Sequence, residues 1–227
     1  MPTIAIVGAG PGMGLAIARA FGTRGFDVAL IARNRGKLDD LVTALAAQDI
    51  TAAAFPADVL DHDQLTRALA DAAARFGRID VLEYSPAGQL DPSGMTIPSA
   101  TAPAGVQAQM DAQLYGALAA TQAVLPAMRE AGAGTLLYTT GAGSVSPIPM
   151  FGNINAAAAA LRNWVLNLHG ELADTGIQAA HVAIGVWIGT HGPAGAPTAT
   201  ADEIAPVYWD LHTKRDEAEH VFTGAQP

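Results

Sequence analysis

The sequence predicts an α/β protein, a doubly wound parallel sheet of about seven strands in a single domain spanning residues 1–227. Three observations carry this. Apolar strand patterns alternate with helical patterns along the whole chain. A glycine-rich turn joins the first strand to the first helix. Half of the residues are apolar and only 15% are charged, which suits a sheet covered by helices on both faces.

The elements follow in order. Ile4–Val7 reads as a buried strand, and Gly14–Gly25 as a helix with Leu15, Ala18 and Phe21 on one face. Val28–Ala32 is the second strand. Asn34 caps a helix whose Leu38, Leu41, Val42 and Leu45 keep a helical period. Thr51–Phe55 is the third strand, ended by Pro56. Asp61 and Gln64 form a capping-box start for a helix carrying Leu65, Leu69 and Phe76, stopped at Gly77. Ile79–Tyr84 is strand four. A long helix runs from Val106 to Glu130, kinked or ended at Pro126. Thr135–Thr140 is strand five, and Asn153 or Asn155 opens a second long helix striped by Leu161, Val165, Leu168 and Leu172. Ala179–Ile188 is strand six, Ala201–Arg215 a helix, and His220–Thr223 a short seventh strand. Repeated βα units impose parallel pairing through right-handed crossovers.

Bulk properties exclude several function classes. A net charge of −9 argues against nucleic acid, whose phosphates require a basic face. The chain has no cysteine, hence no disulfide and no thiolate chemistry, which fits a cytoplasmic location. It enters a strand directly, without a basic segment ahead of an apolar run, so no secretory leader is expected. No apolar stretch of about twenty residues is available to span a membrane. The six histidines show no metal-ligand spacing, and Asp61-His62-Asp63 reads as a polar helix start, so no metal site is expected.

The glycine turn is Gly8-Ala9-Gly10-Pro11-Gly12-Met13-Gly14. Between a buried strand and a helix, such a loop cradles phosphate. Gly8 permits the tight turn, Gly12 lets the backbone approach a pyrophosphate, and the helix N-terminus faces the anion. The plainer alternative is a glycine turn with no ligand. Met13 breaks G-x-G-x-x-G; the spacing is G-x-x-x-G-x-G through Gly8, Gly12 and Gly14. In this spacing the chain resembles the short-chain dehydrogenase/reductase family, whose fold is Rossmann-like, and the resemblance covers nearly the whole sequence.

That resemblance implies a nicotinamide cofactor held by Gly8, Gly10, Pro11, Gly12, Met13 and Gly14. An NAD-specific member carries a carboxylate at the end of the second strand; here Ala32 stands in that place, followed by Arg33 and Asn34. A guanidinium clamps a 2′-phosphate through charge-assisted bonds, so the expected cofactor is NADP(H). An exposed Arg33 balancing Asp39 and Asp40 is the plainer reading. The resemblance further assigns Asp58 and Val59 to the adenine, Ser85, Pro86 and Ala87 to the ribose wall, and Gly185, Ile188 and Thr190 to the nicotinamide side. It also implies a homodimer or homotetramer joined through the two long helices, which suits the alanine run Ala156–Ala160.

The catalytic half departs from the family pattern. Thr140 stands where the family has a carbonyl-polarising Ser, and Gln113 where it has an Asn that holds a relay water. The Tyr-x-x-x-Lys pair, which supplies the proton, is missing. In one register its places are taken by Asn153 and Ala157, in the other by Ile154 and Ala158, and no lysine lies between Lys37 and Lys214. Tyr138, His191 and Tyr84 are the substitute proton donors to weigh, against core packing, an exposed loop histidine and a ribose wall respectively. Three functions stay open: an atypical NADP(H)-dependent carbonyl or enone reductase acting on an unknown small molecule, a non-catalytic NADP(H)-binding sensor or subunit, and a non-redox lyase or isomerase.

Overall fold

The computed structural model describes residues 1–86 and 94–224. Its strands and helices run β1 (Thr3–Val7), α1 (Met13–Gly22), β2 (Asp27–Ala32), α2 (Arg35–Ala46), β3 (Ala52–Pro56), α3 (His62–Phe76) and β4 (Val81–Tyr84). There follow α4 (Pro103–Met110), α5 (Gly116–Ala131), β5 (Gly134–Gly141), α6 (Gly152–Glu171) and β6 (Ile177–Ile184). The last elements are β7 (Trp187–Ile188), β8 (Thr198–Ala199), α7 (Ala201–Ile204), α8 (Pro206–Lys214) and β9 (Glu219–Phe222).

Seven strands form one parallel sheet in the order β3-β2-β1-β4-β5-β6-β9. The order reverses between β1 and β4, so loops part at the carboxyl edge there and leave a crevice for ligand. Each buried strand feeds two cores, because successive side chains point to opposite faces. Ile4, Ile6, Val28 and Leu30 pack with α1, α2 and α8. Ala5, Val7, Ala29, Ile31, Leu136 and Tyr138 pack with α3, α5 and α6. Among the described residues no helix is long and apolar enough to cross a membrane.

The predicted fold class holds, and so do most elements. Asn34 caps α2 by accepting from Lys37 N at 3.0 Å. Gly77 closes α3 with φ 92°. Half of the expected capping box forms: Asp61 caps Gln64 N at 2.9 Å, but the Gln64 side chain accepts from Asp58 N instead of the cap residue.

Four expectations need correction. The first long helix neither ends nor breaks at Pro126, which lies inside α5; the irregularity is a π turn over Asp111–Tyr115. Neither Asn153 nor Asn155 caps α6, whose N-cap is Phe151 without a side-chain cap bond. Both asparagines bond loops instead. The sixth strand stops at Ile184, because Gly185 turns the chain and Trp187–Ile188 pairs separately with Thr198–Ala199. Finally, the helix expected over 201–215 is split into α7 and α8 at Pro206, whose ring cannot continue the preceding helix.

Candidate functional site

The glycine loop leaves β1 and enters α1, and Gly8 and Gly14 are each set by a close backbone approach. Gly8 has φ +98°, and a Cβ there would lie 2.6 Å from Ser85 O and 2.7 Å from Pro86 Cα, so the loop packs directly on the chain after β4. A Cβ on Gly14 would meet Ala9 Cα at 2.9 Å, which fixes the close approach of α1 to the loop. A Cβ on Gly12 would meet nothing within 4 Å; it would project into open space in front of the helix. Helix α1 has no acidic residue in its first turn and no side-chain cap. Its positive end is therefore not neutralised by an acidic side chain of its own first turn. This geometry fits a pyrophosphate. Pro11 is exposed and Met13 half-buried beside Gly12.

Arg33 follows β2 and is exposed. It makes no ion pair or side-chain hydrogen bond among the described residues, whereas Asp39 is taken by Arg35 at 2.8 Å. The balancing role for Arg33 toward Asp39 thus has another occupant. Arg33 lines a cavity of about 380 Å3 with Pro56, Ala57, Asp58, Asp61 and Gln64. One Asp58 oxygen accepts from Leu60 N at 3.0 Å. Asn34 is engaged as the α2 cap. The Val59 carbonyl is turned to α5, where a Cβ on Gly116 would meet it at 3.1 Å. Arg33 therefore stands, without an ion pair among the described residues, on the wall of an open cavity past the ends of β2 and β3.

Ser85 and Pro86 flank the loop as expected, but the Ser85 hydroxyl is engaged inward, donating to Glu83 Oε2 at 2.9 Å. Ala87 lies outside the described residues. Gly185 N donates to Phe222 O at 2.7 Å, and its Cα is packed against Ala142 and β9. Ile188 and Thr190 are both exposed. Thr190 Oγ1 pairs with His191 Nδ1 at 2.8 Å, so this loop holds its own polar groups.

In the catalytic half, Thr140 ends β5 at the carboxyl edge and is nearly buried. Its Oγ1 lies 2.9 Å from Ser144 Oγ and 2.8 Å from His181 Nε2. Gln113 sits in the π turn with Nε2 donating to Gln109 Oε1 at 3.0 Å. Asn153 is buried and bridges to the segment after β4: Nδ2 donates to Gly94 O at 2.9 Å, and Oδ1 accepts from Thr96 N at 3.2 Å. Its amide holds a loop rather than a proton for transfer. Ala157 and Ala158, one turn on, are both buried, and Ile154 is half-buried.

Two of the substitute donors are excluded by their surroundings. Tyr84 is fully buried and donates to Ala112 O at 2.5 Å, satisfying a carbonyl of the π turn; burial pushes its pKa far up. Tyr138 pairs with Thr121 Oγ1 at 2.6 Å, and burial again raises its pKa. The groups that sequence reasoning missed are His181, Glu219 and Arg162, which continue from Thr140, and the buried Glu83. Sheet register joins His181 to Glu219 and helix packing brings in Arg162, so no local spacing announced them.

Comparison with known proteins agrees with this geometry. The family description "short chain dehydrogenase" matches residues 2–192. An uncharacterized oxidoreductase of Staphylococcus aureus (strain N315) is 29% identical over 181 residues, covering 80% of this chain and 76% of its own. The ketoacyl reductase HetN of Nostoc sp. is 27% identical over 186 residues, covering 81% of this chain and 62% of its own. Among solved structures, L-sorbose reductase from Gluconobacter frateurii, complexed with NADPH and L-sorbose, superposes with a TM-score of 0.84 at 20% identity, over 98% of this chain and 96% of that one. A short-chain dehydrogenase from Streptomyces avermitilis gives 0.81 at 27% identity, over 98% and 88%. With the glycine loop, the strand order and a match over most of its length, this chain belongs to the short-chain dehydrogenase family of oxidoreductases.

Proposed function

We propose that the protein is an NADP(H)-dependent reductase of small carbonyl or enone substrates that works without the family's Tyr and Lys. The observation that carries the cofactor choice is Arg33, exposed and unengaged among the described residues on the wall of the adenosine-end cavity. Gly8, Gly12 and Gly14 hold the pyrophosphate against the N-terminus of α1, with Gly10, Pro11 and Met13 alongside. Arg33 takes the 2′-phosphate and Asp58 the adenine amino group. When bound, the nicotinamide supplies a hydride. Thr140 then orients the carbonyl oxygen through its hydroxyl, at the edge where β5 ends. The role of holding a water, which the family gives to an Asn, falls to Gln113 in the π turn.

Neighbours crystallised with NADPH, NADP and NADH support a nicotinamide cofactor, and Arg33 carries the choice of NADP(H). The segments after β4, β5 and β6 carry Ile97, Ile148, Met150, Trp187 and Ile188 exposed, which favours an apolar substrate at this edge. The exposed faces of α5 and α6 are the surfaces for a homodimer or homotetramer.

The second reading is a non-catalytic NADP(H)-binding protein. It is favoured by Asn153, whose amide is engaged with Gly94 and Thr96 where the family has its proton donor. Two measurements separate the readings. Titration of NADPH and NADH should show NADPH preferred by wild type and the preference abolished by Arg33→Glu. That loss corresponds to about 1.5–3 kcal/mol, tenfold or more in Kd. Equal binding of both cofactors by wild type sinks the NADP(H) assignment. NADPH oxidation is then followed over a broad carbonyl and enone panel. Turnover supports the reductase; a silent panel beside tight NADPH binding selects the binding protein.

A further inference from the structure

Thr140 and the buried His181 begin a polar chain drawn from four elements that reaches the half-buried Glu219 and Arg162. Its Oγ1 lies 2.8 Å from His181 Nε2 on β6. His181 Nδ1 lies 3.0 Å from Glu219 Oε1 on β9. Arg162 on α6 forks both Glu219 oxygens, with Nη2 2.7 Å from Oε2. Sheet register makes this arrangement. Tyr138 pairs with His181 and Thr140 with Ala183, so His181 stands one pleat below Thr140 on the same face, and β9 sets Glu219 directly beside it. His181 is fully buried. A parallel core ordinarily fills such a position with an apolar side chain, because burying an ionisable group is costly.

Hydrogen inventory fixes what the chain can do. The Glu219 carboxylate only accepts, so neutral His181 carries its hydrogen on Nδ1 and leaves Nε2 to accept from the Thr140 hydroxyl. When His181 is protonated, Nε2–H becomes a donor to Thr140 Oγ1. The Thr140 hydrogen must then turn away from His181, toward Ser144 Oγ at 2.9 Å, Gly141 O at 3.1 Å or a substrate oxygen.

We infer that Thr140 is the immediate proton donor to the substrate oxygen, and that His181, positioned by Glu219 and Arg162, recharges it in place of the absent Tyr and Lys. This rests on the reductase reading. In the step, the carbonyl carbon gains a hydride, and with it two electrons from NADPH, while the C=O π pair moves to oxygen. That oxygen takes the Thr140 proton, Thr140 Oγ1 takes the Nε2 proton, and His181 is left neutral. His181 regains a proton from solvent, so one carbonyl, one NADPH and one proton give one alcohol and NADP+. Burial lowers the His181 pKa, Glu219 of β9 raises it, and Arg162 of α6 lowers it, for a net value below the ordinary one. Tyr138, on the neighbouring strand, has its hydroxyl bonded to Thr121.

The test uses the full-length protein and the variants His181→Gln, Thr140→Val and Thr140→Ser, each first checked for NADPH binding by nicotinamide fluorescence. With NADPH and a panel of aryl ketones, wild-type reduction should fall as pH rises through a midpoint below about 6.5, and alcohol oxidation should rise over the same range. His181→Gln should lose this limb and about 10²-fold in rate. Thr140→Ser should keep the limb and Thr140→Val should lose it. A merely structural histidine would lower the rate without removing the limb, so a limb that survives in His181→Gln overturns the relay while leaving the reductase intact. A second readout needs no turnover. In the NADP+ complex, 2,2,2-trifluoroethanol should raise the midpoint of the His181 imidazole C–H resonance in wild type and not in Thr140→Val. An unmoved resonance overturns the relay even if the panel is silent, and failure to bind NADP(H) at all overturns both readings.

Discussion

Glu83 is a carboxylic acid fully enclosed in the core, on β4 one residue before Tyr84. Thr139 Oγ1 donates to its Oε1 at 2.9 Å and Ser85 Oγ to its Oε2 at 2.9 Å, yet burial dominates and pushes its pKa from 4.5 up to about 8. The folded value lies above the unfolded one. Below pH 4.5 both states hold the proton and its contribution to stability is complete; between 4.5 and about 8 only the folded state holds it, so stability falls as pH rises and then levels off. Glu83→Gln imitates the protonated acid and should flatten that fall, leaving the variant a few kcal/mol more stable than wild type at alkaline pH and indistinguishable in acid. Urea unfolding across the range checks it; parallel pH profiles for the two proteins would refute the buried-acid account. A second residue-scale expectation concerns Gly12, whose Cβ would enter open space and touch no protein atom within 4 Å. Gly12→Val should therefore stay folded by circular dichroism and lose NADPH binding, since the side chain fills the approach path of the pyrophosphate. The glycine loop was legible at this scale because each glycine answers a local demand. Glu83 gave no such signal: in the sequence it is one acid inside an apolar strand, and its two hydroxyl partners come from its own strand end and from a strand about fifty residues on.

At the scale of elements, the π turn over Asp111–Tyr115 is the least legible feature and the one closest to Gln113. Its residues, Asp-Ala-Gln-Leu-Tyr, carry no Pro or Gly to mark an interruption. A π turn widens the helix by one residue and is common at functional sites. Here the cause lies outside the helix: Tyr84 OH donates to Ala112 O at 2.5 Å, and a Cβ at Gly116 would collide with that same hydroxyl. Tyr84→Phe removes the donor and strands a carbonyl in the interior. The expected loss is about 1–3 kcal/mol by denaturant unfolding. Shifted amide resonances should be confined to residues around Gln113. A variant as stable as wild type would mean that the turn is held by other contacts. The other boundary errors have physical causes too. Pro126 sits inside α5 because one missing N–H is tolerated where the rest of the helix is packed on α3 and the sheet. The second asparagine expected to start α6 instead binds Ile148 O at 2.9 Å, and its amide fills the space above Gly143 that a Cβ would enter.

For the whole molecule, fold class was the most legible property, because alternating βα units leave only a parallel, doubly wound solution. The crevice beside the glycine loop followed from it, since the strand order reverses between β1 and β4. The proton path did not. Thr140, His181 and Glu219 lie 41 and 38 residues apart, and register alone unites them. The same assembly makes cofactor binding a property of the folded chain as a whole. Its parts come from the β1–α1 loop, the end of β2 and the turn after β3, so the unfolded chain has no equivalent site. Binding must then raise stability by mass action. NADPH at about 100 times its Kd should add about 2.7 kcal/mol. A chain of this length gains roughly 2–4 °C in Tm per kcal/mol, so the melting temperature should rise by roughly 5–11 °C. NADH at the same concentration, bound about tenfold more weakly for want of the phosphate on Arg33, should give about half of that shift. In Arg33→Glu the NADPH shift should fall to that of NADH or below it, because NADH has no phosphate to lose. Differential scanning fluorimetry reads all four conditions without a substrate. An unchanged wild-type Tm in saturating NADPH would mean that the folded edge does not hold the cofactor, whatever the resemblance of its loop.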